Sequence, residues 1–149
     1  MTTLQHASHL GVYALIPSPD AASVLLIKKA LGCYTGLYDL PGGRMDDGEL
    51  LEQTMQREIL EETDCSVTSY SQLASHSLLY PHDKDGEHII LRHIGVIYLA
   101  EITGTPRTHA TGDDSAGCVW VPLADVNPAN AAPLVLMAIE SWQKKLKSA

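Results

Sequence analysis

The chain has 149 residues, with 18 acidic against 10 basic side chains and a formal net charge of −8, which opposes broad electrostatic attachment to a nucleic-acid polymer or an anionic membrane. Cys33, Cys65 and Cys118 are widely spaced and odd in number, with no Cys-x-x-Cys pair, so neither a disulfide scaffold nor a zinc ribbon is expected. The length suits a single domain, residues 1–149, and the absence of a basic opening followed by a long apolar run makes a soluble, cytoplasmic protein the simplest expectation.

In chain order, residues 10–16 and 24–27 are short apolar runs separated by Pro17-Ser18-Pro19-Asp20, the pattern of two strands joined by a turn. Residues 40–49 then place Pro41, Gly42 and Gly43 ahead of Asp46, Asp47 and Glu49. Glycine lets main-chain atoms approach an ion or a phosphate closely, and acids are favoured in a first helical turn, so a helix is expected to begin near residues 47–49. Its apolar stripe is Leu51, Met55 and Ile59, recurring every four residues.

The acids on this helix carry the most information. At roughly 100° per residue, Glu58 and Glu62 fall at the boundary of the buried face, with Glu61 and Arg57 further round. Glu58 with Glu61, and Glu58 with Glu62, are like-charged helical neighbours, each pair costing roughly 0.2–0.5 kcal/mol before burial is counted. Arg57 offsets only part of that charge. A carboxylate-rich oxygen site suits Mg²⁺ or Mn²⁺ better than zinc, which prefers His and Cys. Taken alone, an acidic helix is ordinarily a solvated surface and a Gly-Gly loop an ordinary turn. Joined, the loop is a strap that can hold a hard cation against carboxylates.

Beyond the helix, residues 67–79 and 88–99 are strand-prone, and residues 81–87 between them read as a hairpin tip. Asp83-Lys84-Asp85-Gly86 does not make a calcium loop, because that frame would put Pro81 at the first ligand and Arg92 at the bidentate acid. Residues 118–121 form another short strand, and residues 133–146 a terminal helix opening on Pro133 and closing in lysines. Strands with two separated helices make an α+β chain. His82, His88 and His93 form no His-Glu-x-x-His pattern and read as surface or sheet residues. Ser8, Ser18 and Ser115 sit in no Gly-x-Ser-x-Gly elbow.

Gly43, Glu49, Arg57, Glu58, Ile59, Glu61 and Glu62 stand in the register of the signature G-x5-E-x7-R-E-U-x-E-E-x-G-U, with U a bulky aliphatic residue, so the chain resembles the Nudix hydrolases. Two positions depart: Asp64 replaces the last glycine and Cys65 the last aliphatic residue. Asp tolerates the left-handed conformation common after a helix better than most residues, and Cys can act as a small buried hydrophobe.

The resemblance implies an α/β/α sandwich with a mixed sheet between helices, and metal-dependent cleavage of the phosphoanhydride in a nucleoside diphosphate linked to another group. By resemblance, Glu58 and Glu62 lead as metal ligands, the Gly42 carbonyl is a further ligand, and Glu61 is a ligand or the base that orients water. Arg57 braces the cluster through Glu49 or Glu61, while Gly43 and Glu49 support the box. Arg44 contacts phosphate or stays solvated. Asp113 or Asp114 is an alternative base, although paired aspartates in a Gly/Ser loop are more simply turn residues. Tyr34, Tyr38 and Tyr80 could stack a nucleobase, or merely pack. The expected cofactor is Mg²⁺, with Mn²⁺ as substitute, and the expected partner a small nucleotide: a nucleoside triphosphate, including oxidised ones, ahead of ADP-ribose, with diadenosine polyphosphates and nucleotide sugars open. A homodimer is left open. The alternative is a catalytically silent nucleotide-binding or regulatory module on the same scaffold.

Overall fold

The computed structural model describes residues 4–108 and 115–149. Strand β1 (Leu4–Leu15) turns at Ser18–Ala21 into β2 (Ser23–Lys29), and a loop leads to the two-residue strands β3 (Tyr38–Asp39) and β4 (Gly42–Gly43). Helix α1 (Leu51–Thr63) precedes the long hairpin β5 (Val67–Lys84) and β6 (Glu87–Ile102); β7 (Ser115–Pro122), a short 3-10 turn (Leu123–Asp125) and α2 (Pro133–Lys147) complete the chain.

Two sheets result. The first has the order β4-β1-β6-β5, with β1 parallel to β6 and the other pairings antiparallel; the second, β3-β2-β7, is antiparallel. Strand β1 shows why helices flank both sides. Its residues Val12 and Ala14, followed by Ile16, pack with Met55 and Ile59 of α1, whereas Tyr13 and Leu15 pack with Leu134, Val135 and Ala138 of α2. With side chains alternating across a strand, a run buried on both faces must be apolar throughout, as residues 12–16 are. The expected mixed sheet between helices is the observed architecture.

Several boundaries differ from those expected. Strand β1 begins six residues before position 10, at Leu4, because the polar stretch Gln5 to His9 is paired along β6, from Leu4 opposite His88 to Leu15 opposite Leu99. The hairpin tip shrinks to Asp85 and Gly86, with φ of 52° and 79°, as a two-residue turn requires. Pro81 lies within β5, opposite Ile90; its missing N–H is tolerated because β5 is an edge strand. Helix α1 begins at Leu51, later than expected, because the Glu49 carboxylate is drawn back to accept the Asp46 N–H at 2.8 Å.

Candidate carboxylate site and adjoining pocket

Arg57 organises the signature. Its Nε and Nη2 donate to the two oxygens of Glu49 at 2.6 and 2.9 Å, a bidentate pair. Nη1 donates to Glu58 at 3.0 Å and to Glu61 at 3.2 Å, while Nη2 also donates to the Arg44 carbonyl at 3.0 Å. Of the two bracing partners expected, Glu49 and Glu61, both are engaged, and the guanidinium ties the strap loop to the helix. The Arg57 contact, helped by the Asp46 N–H, lowers the Glu49 carboxyl to about 2, and the acids hold the guanidinium protonated beyond its ordinary value.

Glu58 and Glu62 sit one turn apart under the strap. The Gly42 N–H donates to Glu62 Oε1 at 3.0 Å, but Glu62 Oε2 is buried with no hydrogen-bond partner. Burial pushes the Glu58 carboxyl up against the opposing pull of Arg57, and pushes Glu62 well up, with the nearby Glu58 charge adding to it. A Cβ at position 43 would stand 2.9 Å from Glu58 Oε1, so the strap's closeness depends on glycine there. Glu61, by contrast, lies exposed at the open end.

An orphaned buried carboxylate oxygen beside a second crowded carboxylate fits a hard divalent cation, which oxygen donors suit. Among the described residues no three His, Cys, Asp or Glu side chains form a closed cage. Main-chain oxygen, water or a phosphate would therefore complete any shell, as Mg²⁺ usually requires.

A pocket of about 440 Å³ opens beside these carboxylates. Its lining includes Gly43, Arg44 and Glu58 together with Tyr34, Leu91 and His93. Arg44 is exposed. Asp39, only 4% exposed, is held up at about 6 by burial. A larger groove of about 1260 Å³, walled by Tyr70, Trp120 and Trp142, contains none of the signature residues, whereas Gly43 and Glu58 of the signature line the smaller pocket.

The tyrosines separate. Tyr34 lines the pocket and packs against Tyr80, ring centroids 4.7 Å apart and planes tilted by 59°, whereas Tyr38 carries Lys28 over its face at 4.9 Å. Asp113 and Asp114 lie outside the described residues. His88 pairs with Asp83 near the hairpin tip, as a surface residue does. His93 follows the other of the two readings, a sheet residue of β6, and is only 2% exposed, bonded to Tyr13 Oη at 2.7 Å and Tyr34 Oη at 2.9 Å. Sequence pattern missed this cluster because Tyr34 and His93 are 59 positions apart; its one signal was a histidine inside an apolar strand.

Comparison with known proteins agrees with this geometry. The chain matches the NUDIX domain family over residues 7–138. It is 32% identical over 111 residues to a Bacillus subtilis (strain 168) protein provisionally named an 8-oxo-dGTP diphosphatase; the match covers 74% of this chain and 64% of that protein's length. Among solved structures, the MutT NUDIX hydrolase from Burkholderia pseudomallei is 27% identical with a TM-score of 0.66, the match covering 90% of this chain and 97% of that one. The NUDIX domain of Shewanella oneidensis NrtR, solved with ADP ribose, is 28% identical with a TM-score of 0.73, at 94% and 89% coverage. With the signature in register, its acids gathered under one strap and the family match spanning nearly the whole chain, the protein belongs to the NUDIX domain family.

Proposed function

We propose that this chain is a divalent-metal-dependent pyrophosphohydrolase of small nucleotides, cleaving the phosphoanhydride of a nucleoside diphosphate linked to another group. The observation that carries this reading is the unpartnered, buried Glu62 Oε2 beside Glu58, beneath a glycine strap. Glu58, Glu62 and the Gly42 carbonyl would hold the ion, with Mg²⁺ preferred and Mn²⁺ as substitute. When bound, that ion supplies charge neutralisation for phosphoryl oxygens and lowers the acidity threshold of water. Glu61, tethered to Arg57 at the open end, adds a ligand oxygen or orients the attacking water. Arg57 fixes the carboxylates. Arg44, exposed among the residues lining the pocket, contacts the substrate phosphates, and Tyr34 is left for the non-phosphate part.

Nucleoside triphosphates, including oxidised ones, rank above ADP-ribose, in keeping with the name of the Bacillus relative. Glu58→Gln and Glu62→Gln should each lower kcat by about 10²-fold or more, the loss of a preorganised electrostatic contact being worth that much, with far-UV dichroism unchanged. Assay against triphosphates, ADP-ribose, diadenosine polyphosphates and nucleotide sugars with Mg²⁺ and Mn²⁺, products identified, tests this directly. Undiminished turnover in both variants would overturn the assignment. A silent ligand-sensing module is favoured by the likeness to the NrtR domain, solved with ADP ribose; saturable ligand binding without released phosphate product would select it.

A further inference from the structure

Neutral imidazole has one nitrogen that donates and one that accepts. His93 has both nitrogens occupied by tyrosine hydroxyls, Tyr13 on Nε2 and Tyr34 on Nδ1. Burial lowers its pKa to about 4, with the His9 and Lys29 charges adding to that, so the ring is neutral near pH 7. The two tyrosines must therefore play opposite parts. When Nδ1 is bare, Tyr34 donates to it and turns only oxygen lone pairs toward other partners; Nε2–H then donates to Tyr13, whose own proton points toward His9 Nε2, 3.5 Å away. When Nδ1 carries the proton, Tyr34 accepts from it and its own O–H is free to donate elsewhere. Tyr13 then donates to Nε2.

Both arrangements satisfy His93 fully within the cluster. They differ at the Tyr34 O–H, which is given to Nδ1 in the first and has no partner within the cluster in the second, so a ligand that accepts from it favours the second and one that donates to it favours the first. The Tyr34 ring is meanwhile packed in tilted contacts, 4.7 Å from Tyr80 and 5.4 Å from His93 between centroids. Tyr34, His93, Tyr13 and His9 all line the same pocket as Gly43 and Glu58.

We propose that Tyr34 is a base-binding hydroxyl of this pocket, contacting the edge of a heteroaromatic base, and that His93 is its positioning residue, its tautomer letting the one hydroxyl answer either a ring carbonyl or an exocyclic amino group. The proposal rests on the reading of the pocket as a nucleotide site, and deepens it: the site takes both oxo- and amino-substituted bases. It does not take part in phosphoanhydride cleavage.

The test uses nucleosides, which carry no phosphate and need no metal, so it stands apart from turnover. Inosine, with a 6-oxo group, and adenosine, with a 6-amino group, are titrated calorimetrically into the protein. Both should bind within about fivefold of one another, a hydrogen bond of either sense being worth roughly that factor, and Tyr34→Phe should weaken both by about three- to tenfold. With ¹⁵N-histidine labelling, long-range ¹H–¹⁵N spectra of the unmutated protein should show the His93 Nδ1–H tautomer with inosine and the Nε2–H tautomer with adenosine. A purely structural cluster would keep one tautomer throughout. The same tautomer in both complexes, no binding of either nucleoside, or Tyr34→Phe affinities within twofold of the original would each overturn the proposal. Hydrolysis of triphosphates with no nucleoside binding would sink it while leaving the hydrolase reading intact.

Discussion

His93 sets a measurable limit on this protein at low pH. Its unfolded pKa is near 6.5 and its folded value about 4, so between those values the unfolded chain takes up the proton and the native state does not. The stabilisation is whole above pH 6.5 and is lost as pH falls toward 4, amounting to about 3 kcal/mol at most from the size of the shift. Asp39 acts in the opposite sense. Its folded pKa is raised to about 6, so the native state binds the extra proton there and stability from this group grows as pH falls from 6 toward 4. The two effects partly cancel in the unmutated protein, and a flat stability curve would be uninformative. His93→Gln separates them: urea denaturation at pH 7.0, 5.5 and 4.5 should show the acid-side decline removed and the Asp39 trend uncovered. A variant whose stability falls in parallel with the original protein would exclude His93 as the cause.

At the scale of elements, the strap and α1 divide structural from chemical work between two adjacent glycines. Gly42 has φ of 146° and a Cβ there would meet the Val12 carbonyl at 2.2 Å, main chain against main chain in the β1–β4 pairing. Gly43 has no such backbone demand; the nearest atoms to a Cβ there would be those of the Glu58 carboxylate, at 2.9 Å. Gly42→Ala should therefore cost about 2–4 kcal/mol of stability from strain and overpacking. Gly43→Ala should unfold at nearly the original temperature yet lose about 10–100-fold in activity, as displaced supports of a site typically do. Thermal denaturation beside kcat measurement distinguishes them, and equal stability loss in both would refute the division. These elements also mark what sequence could disclose. The α1 stripe and the left-handed Asp64, with φ of 63°, were legible because periodicity and capping are local. The start of α1 was not, because Glu49 serves Arg57 across the loop instead of opening the helix. Nor was the polar first half of β1, whose partner strand lies some 80 residues on in the sequence. The carboxylate site was readable from spacing, whereas the His93 cluster depends on cross-strand register that spacing does not carry.

For the whole molecule, the excess of 18 acids over 10 bases becomes acute where Glu58 and Glu62 are both withdrawn from water. A cation that binds only the folded state stabilises it by mass action, about 2.7 kcal/mol at a concentration 100 times Kd. At the ~2–4 °C per kcal/mol typical of a domain this size, Mg²⁺ should raise the melting temperature by roughly 5–10 °C. General screening of a net charge of −8 would also raise it, without any site. The two are told apart by Glu62→Gln, which leaves the remaining acids in place but removes the charge of the buried, unpartnered oxygen. In sodium chloride of matched ionic strength, both proteins should shift by the same small amount; on adding Mg²⁺, only the unmutated protein should gain the larger increment, and EDTA should reverse it. An equal Mg²⁺ response in the two would mean that the ion acts on the diffuse surface charge, and that the crowded carboxylates beneath the strap do not hold it.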